Sequence, residues 1–310
     1  MSNLTERDIA RVKGMGFLRN RGTDTFSARI VTKNGVLTAE QLQKLSEIAK
    51  NIGAGRACLT SRLSVEIPGI PLEQVETVCR LTEEIGLSVG GTGAKVRPVT
   101  ACKGTTCVYG NADTQAIAAH LHDEFYIGWH HVALPHKFKM AVGGCPNSCM
   151  KPSLNDIGIE GHRVPKPDVS KCHGCKECAV VNKCPSHAAM KADGKIAIDA
   201  RKCMDCGVCL DKCPFGVMPE AETRFAVYVG GTWGRTPRMG SRLSRYYALE
   251  ELDSVVTKVL LWYRANGYQK ERLGATIDRL GLDALEKAIA DDALLANKDA
   301  ILAAELLQRP

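Results

Sequence analysis

The chain has 310 residues, 45% hydrophobic and 24% charged, with a formal net charge of +7. These proportions belong to a folded globular protein of one or two domains and exclude a disordered chain. No apolar run reaches about eighteen residues and the N-terminal stretch "MSNLTERDIARVKGMG" has no apolar core, so neither a membrane span nor a secretory leader is expected and a cytoplasmic location is.

Residues 24–32 ("DTFSARIVT") read as a strand, and "KNG" at 33–35 as a hairpin-type turn. The segment 38–53 reads as a helix: Thr38 and Gln41 make a capping box, Leu42, Leu45, Ile48 and Ile52 form the apolar stripe, and Gly53 is the stop. A strand is expected at 57–67, with Leu59, Leu63, Val65 and Ile67 on one face. Arg56 lies just before it, on the polar side with Thr60, Arg62, Ser64 and Glu66. A second helix runs from Pro71 to Gly86. The order β-α-β-α over roughly 20–90 implies a small α+β sandwich, so residues 1–90 are expected to form one unit.

Residues 91–165 carry a first cysteine set, with a helix expected at 113–125 between its halves. Residues 166–220 change character, rich in cysteine and punctuated by proline, before strand pattern returns at 225–231 ("FAVYVGG"). Helices are expected at 248–265 and 276–306. The 166–220 block therefore reads as an insertion that divides a second unit into 91–165 and 221–310.

Fourteen cysteines in a chain of this size, for which no export is expected, read as metal ligands rather than disulfides, and twelve fall into clustered spacings. "CHGCKECAVVNKCP" (172–185) and "CMDCGVCLDKCP" (203–214) each place three thiols at C-x2-C-x2-C, with a distant Cys-Pro supplying the fourth ligand of the neighbouring cluster. That pattern assigns Cys172, Cys175, Cys178 and Cys213 to one 4Fe–4S cluster, and Cys203, Cys206, Cys209 and Cys184 to another. It resembles a bacterial two-cluster ferredoxin, except that five residues rather than three precede Cys184, which is expected to loosen that loop. Zinc would favour CxxC pairs over triplets. Such clusters are anionic and offset part of the positive charge; with 5% aromatics and no basic run interleaved with them, nucleic-acid binding is not expected.

Cys102, Cys107, Cys145 and Cys149 are four further ligands, suited to zinc or to one more cluster. Glycines flank the set at 90–95 ("GGTGAK") and 143–144, where backbone could approach something bulky and flat. A lone GxG is poor evidence for a dinucleotide site. Just upstream, Lys137 and Lys139 share one face of the strand "HKFKMAV", opposite Phe138, Met140 and Val142. Two ammonium groups on such a strand either snorkel to solvent at a sheet edge or meet an anion, and Arg56, Arg62 and Arg97 add to the cationic set.

Taken together, "TSR" (60–62), "KVRPVTACKG" (95–104), "LPHKFK" (134–139) and "GCPNSC" (144–149) resemble the siroheme-dependent sulfite and nitrite reductase family over roughly residues 20–265. With the inserted block, the chain is most similar to anaerobic sulfite reductase catalytic subunits and dissimilatory sulfite reductase subunits. The resemblance implies an α+β fold: a ferredoxin-like half-domain, a siroheme/4Fe–4S domain and an inserted two-cluster ferredoxin. It implies a third 4Fe–4S cluster on Cys102, Cys107, Cys145 and Cys149, with Cys149 also bridging to siroheme iron. It assigns Arg62, Arg97, Lys137 and Lys139 to the substrate anion, and places Arg56, Asn147, Arg235 and Arg238 near siroheme. "KFK" favours sulfite over nitrite as substrate. The Cys102-x4-Cys107 spacing is one residue short of the family's usual C-x5-C, so a strained or altered loop is expected there.

Larger members carry two copies of this fold, one supplying anion-binding side chains and the other the cluster. One copy here implies a homodimer, each site drawing its cationic quartet from one subunit and its cysteines from the other. No flavin or nicotinamide motif is visible, so a separate donor, a flavoprotein subunit or a ferredoxin, is expected. The competing readings are an ammonia-forming nitrite reductase and a siroheme-free polyferredoxin that only relays electrons. Cys58 and Cys79 fall outside every ligand set, and the helical tail at 276–306 reads as a packing or dimer element.

Overall fold

The computed structural model describes residues 4–310; the first three residues of the N-terminal stretch lie outside them. Helix α1 (Glu6–Met15) was not anticipated, although its signals are present. Thr5 and Asp8 close a capping box, and Gly16 ends the helix at φ 108°. Strands β1 (Phe17–Arg19) and β2 (Phe26–Val31) follow, then α2 (Ala39–Asn51), capped by Thr38 and Gln41 as the spacing predicts.

The strand expected at 57–67 is instead a tight hairpin of β3 (Cys58–Leu59) and β4 (Val65–Ile70), paired antiparallel with Leu59 opposite Val65. The side chain of Thr60 accepts from the Arg62 and Ser64 amides, and Leu63 takes φ 59°, which reverses the chain. Alternation of polar and apolar residues cannot distinguish one long strand from two short ones around such a turn. The consequence is functional, because Arg62 sits at a tip rather than along an edge. Helix α3 (Val75–Glu83) and β5 (Ser88–Val89) complete the unit. Its sheet runs β1-β2-β4-β3, with β5 also on β2, over a core that includes Phe17, Phe26, Ile30, Ile67 and Val78.

A second sheet follows from β6 (Thr100–Ala101), α4 (Thr114–Leu121), β7 (Met140–Gly143) and β8 (Ile157–Arg163). At Arg163 the chain leaves the sheet, carrying α5 (Ala179–Lys183) and a hairpin of β9 (Ala189–Ala192) and β10 (Lys195–Ile198). It returns at β11 (Thr223–Val229), whose Thr223 pairs with Arg163. The segment 164–222 is thus the loop of a β-hairpin, and it has its own small core around Val180, Ile196, Leu210 and Val217. The extra residues before Cys184 do not loosen the loop, because they form α5.

Strand β12 (Ser241–Tyr247) completes the sheet order β12-β11-β8-β7-β6, parallel on the β6–β8 side and antiparallel beyond. Helix α6 (Leu252–Asn266) packs on it. The tail expected as one helical run is broken into α7 (Leu273–Leu280), α8 (Leu282–Ile289), α9 (Ala293–Ala296) and α10 (Lys298–Ala303). Gly281, at φ 92°, makes the first break. Leu285 and Ile289 are buried in the same core as α6, so α8 of the tail is a packing element within the chain. No helix among the described residues is long and apolar enough to cross a membrane.

Candidate functional site

Between the two sheets lies a cavity of about 310 Å³, and Arg62, Arg97, Lys137 and Lys139 all line it. The chain aims each of them by backbone bonding. Residues 94–97 run beside 134–138, with the Arg97 amide on the Phe138 carbonyl (2.8 Å) and the Phe138 amide on the Lys95 carbonyl (3.0 Å). Phe138, Met140 and Val142 are fully buried, which turns Lys137 and Lys139 to the other side. The Lys139 amide donates to Asp156 Oδ2 (2.8 Å) and its carbonyl accepts from Ile157 (3.0 Å), fixing the residue from both ends.

The cations are tied to neutral acceptors. Arg62 donates to Asn155 Oδ1 (2.7 Å) and to the Pro98 carbonyl (2.8 Å). Arg97 donates to the Gly91 and Gly93 carbonyls. The glycine loop that the sequence offered to a flat group therefore turns carbonyls onto Arg97. Burial, joined by the Arg97 charge, pulls the Arg62 guanidinium down to about 10; burial and the Arg29 charge do the same to Arg97. Lys137 is lowered by burial and by Arg272 and Arg97. Lys139 falls to about 8, through burial first and then the charges of Arg62, Lys137 and Arg272.

Among the described residues, the only carboxylate on the cavity wall is Glu66, and it pairs with Arg29 at 2.7 Å. That leaves four cationic side chains facing one hollow without a counter-charge on its wall. Such an arrangement stores the cost of like-charge crowding and desolvation until an anion enters. Both lysines are half-buried on the wall of this hollow.

A second cavity of about 240 Å³ adjoins the first, sharing Ser61, Arg62 and Lys139, and it is lined by Cys149, Lys151, Asn155 and Trp233. Asn155 joins the two, accepting from Arg62 and donating to the Lys151 carbonyl (3.1 Å). One chain thus brings Cys149 to the same cleft as Arg62 and Lys139.

Cys102, Cys107, Cys145 and Cys149 come together at the ends of β6 and β7. Burial, and the neighbouring Cys102, Cys149 and Cys107 sulfurs, push the Cys145 thiol up. The Gly144 amide donates to Cys102 Sγ at 3.2 Å. A methyl group on Gly144 would lie 3.1 Å from Gly104 Cα and from Thr114 Cγ2, so any larger residue there would press the two cysteine loops apart by a few tenths of an ångström. The short Cys102–Cys107 loop closes as a 3₁₀ turn at Gly104–Thr106, and no residue of 102–107 takes a left-handed φ.

In the 164–222 segment, Cys172, Cys175, Cys178 and Cys213 line one small cavity, and Cys184, Cys203, Cys206 and Cys209 line another. Backbone amides point at the sulfurs: Ile196 at Cys172, Ala188 and Ala189 at Cys184, Asp205 at Cys203, all within 3.4 Å. Thiolates bound to iron–sulfur clusters accept such bonds. Among the described residues no three His, Cys, Asp or Glu side chains are placed to hold a single metal ion. Thiols spaced around a hollow, with amide donors, fit a cluster better than a lone ion.

The remaining expected residues lie elsewhere. Arg56 and Arg235 are exposed and line neither cavity; Asn147 is exposed, but its amide donates to Cys145. Arg238 is committed to Asp278, with three contacts between 2.8 and 3.1 Å, and to the Gly230 carbonyl, so the structure makes it a clasp between β11 and α7. Sequence reasoning missed Asn155, Trp233, Asp156 and Arg272. Fully buried Asp156 receives Arg272 in a bidentate pair, Nε at 3.2 Å and Nη2 at 2.7 Å. The one available signal was "ND" (155–156), polar residues abutting the wholly apolar start of β8.

The comparisons with known proteins bear on the family and the fold. A family model described as the nitrite and sulphite reductase 4Fe–4S domain matches residues 92–295, and one described as the nitrite/sulfite reductase ferredoxin-like half domain matches residues 19–85. The chain belongs to the nitrite and sulphite reductase family. Among curated relatives, the chain is 33% identical over 271 residues to a coenzyme F420-dependent sulfite reductase of Methanocaldococcus jannaschii, covering 86% of this chain and 42% of that protein's length. The chain therefore spans less than half of that relative. It is 29% identical over 274 residues to one of the subunits of the anaerobic sulfite reductase of Salmonella typhimurium, covering 82% and 77% of the two chains. The crystal structure of dissimilatory sulfite reductase I superposes with a TM-score of 0.69 at 22% identity over 92% of this chain and 72% of the other, a likeness of fold. The α+β architecture agrees with that membership.

Proposed function

We propose that this chain reduces sulfite to sulfide, and the observation that carries the proposal is the cleft where Arg62, Arg97, Lys137 and Lys139 meet without a counter-charge beside Cys149. Siroheme, held beside Cys149, would supply the redox chemistry at the substrate atom. Three 4Fe–4S clusters, one on Cys102, Cys107, Cys145 and Cys149 and two in the 164–222 segment, would bring the electrons. Units at 1–90, at 91–165 with 221–310, and at 166–220 would divide these tasks between substrate, siroheme and electron entry.

The protein's own part is to bind, orient and protonate. Six electrons and six protons turn bisulfite into hydrosulfide and three waters, so proton supply matters at every lost oxygen. Arg62 and Arg97 stay protonated and hold fixed directions through their carbonyl acceptors, which makes them clamps. Lys139, near 8, is charged at neutral pH yet close enough to its midpoint to release a proton and regain it, and is the proton donor. Electrons come from a separate flavoprotein subunit or ferredoxin. Fourteen cysteines, twelve of them in ligand spacings, suit a reducing, cytoplasmic setting.

The test is sulfide formed from sulfite, beside ammonia formed from nitrite, by the reconstituted chain with a reduced dye. Faster sulfite turnover supports this reading; faster nitrite turnover transfers the pocket to nitrite; neither product leaves only electron relay.

We further propose a homodimer with each site shared between the two copies. Exposed Cys149, with Val108 at 92% and Trp233 at 69% exposure, presents apolar surface that a second copy would cover. The alternative, a site complete in each copy, rests on the adjoining cavities within one chain. A mixed dimer with Lys137→Met in one copy and Cys149→Ser in its partner separates them. Shared sites leave one intact site and about half the activity; self-contained sites leave none.

A further inference from the structure

We infer that Asn111 is the bridge along which electrons cross from the 164–222 segment to the cysteine group at 102–149. This rests on the cluster assignments proposed above. Asn111 Nδ2 donates to the Cys206 carbonyl (3.3 Å) and to the Gly161 carbonyl (3.3 Å). Its own amide donates to the Gly144 carbonyl (2.8 Å). Gly144 is bonded to Cys145, and its amide donates to Cys102 Sγ. One residue therefore joins a ligand of the segment's inner cluster to the loop carrying two ligands of the other. Electron tunnelling falls more steeply across a gap than along bonded and hydrogen-bonded atoms, so this connection sets the coupling.

The residue is held for that geometry. Thr223 donates its hydroxyl to the Asn111 carbonyl at 2.5 Å. Gly207, at φ 73°, lies against Asn111: an added methyl would stand 3.2 Å from Oδ1. The other hydrogen bonds described between the 203–206 loop and the main sheet take longer routes. The Arg163 amide meets the Asp205 carbonyl (2.8 Å), His162 meets the Met204 carbonyl (3.1 Å), and Tyr246 meets Asp205 (2.5 Å). They fix the segment to β8 and β12 and reach the 143–145 turn only through further strand residues, Glu160 pairing with Gly143, whereas Asn111 bonds Gly144 directly. The outer group, which includes exposed Cys175, has no such link among these bonds, which orders the path as outer group, inner group, Asn111, then the 102–149 group. In each passage the inner centre loses one electron and the 102–149 centre gains it; no bond to Asn111 forms or breaks. Asn111 acts as a positioning residue.

The test uses the full reconstituted chain, flash-photoreduced by about one electron, with the intramolecular redistribution between centres followed by absorbance and freeze-quench EPR. Asn111→Ala is expected to slow redistribution by about tenfold, and Tyr246→Phe, which cuts a seam contact off the path, to change it by less than about twofold. Iron, acid-labile sulfide and the midpoint potentials of both centres are expected to stay at wild-type values. If Asn111→Ala loses iron, Asn111→Asp reads the same quantity, keeping shape and backbone amide while removing the Nδ2 donation. Redistribution at the wild-type rate in the Asn111 variants overturns the inference, as does equal slowing in Tyr246→Phe, which would indicate seam rigidity. Sulfite turnover is read on the same samples. Slowed redistribution with no sulfide formed by the wild type sinks the sulfite reading alone, and failure of the 102–149 cysteines to take up a cluster overturns both.

Discussion

Replacing Lys139 by Met is expected to lower kcat/KM for sulfite by about 10²–10³-fold while leaving iron content unchanged, because a preorganised donor aimed at developing charge is worth that much. Methionine keeps most of the length and apolar stem of lysine and removes the ammonium group with its charge and its protons. Lys139 is also the group with the strongest lever on pH. Its folded value near 8 lies below the ordinary lysine value, lowered by burial first and then by Arg62, Lys137 and Arg272. The charged form therefore prevails below about pH 8 and is lost above it. Turnover should fall on the alkaline side with a midpoint near 8, and Lys139→Met should lack that limb. A wild-type rate in the variant, or an unchanged alkaline limb, would remove Lys139 from proton delivery.

The second large effect is on stability. Asp156→Asn should destabilise the fold by about 3–5 kcal/mol, since it leaves a largely buried guanidinium without its partner. Burial pushes the Asp156 carboxyl up and the Arg272 charge pulls it down; the bidentate contact and the Lys139 amide make it the carboxylate of an ion pair. The same substitution loosens the backbone of Lys139, so activity should fall with stability. Replacing Asp156 and Arg272 together by Leu and Met should recover much of the lost stability, because a buried pair and an apolar pair of similar volume are often close in energy. Denaturant midpoints of the three variants measure this. A loss under about 1 kcal/mol for Asp156→Asn would show that the pair carries no structural weight.

How far the sequence could lead depended on how local each signal was. Thr38 and Gln41 lie three apart and cap α2 as read, and the cysteine triplets need only their own spacing to be grouped. Lys137 and Lys139 were legible because strand alternation operates over neighbouring residues, and the buried Phe138 and Met140 settle their direction. Arg62 was legible as a residue but not as a position, since one left-handed residue, Leu63, converts a strand into a hairpin without disturbing alternation. Arg272 was beyond reach: its partner Asp156 stands 116 positions away, and no periodicity connects them. Arg238 failed for the converse reason, because an arginine in a glycine-rich loop looks free until Asp278 on a distant helix is placed against it.

The most direct measurement of the central claim is a visible spectrum of the anaerobically purified and reconstituted chain, followed by extraction of any tetrapyrrole into acid-acetone. The account predicts isobacteriochlorin bands above an iron–sulfur background, with sulfite perturbing those bands in the wild type and failing to do so in Lys139→Met. An iron–sulfur shoulder alone after full reconstitution, with no extractable tetrapyrrole, would contradict it.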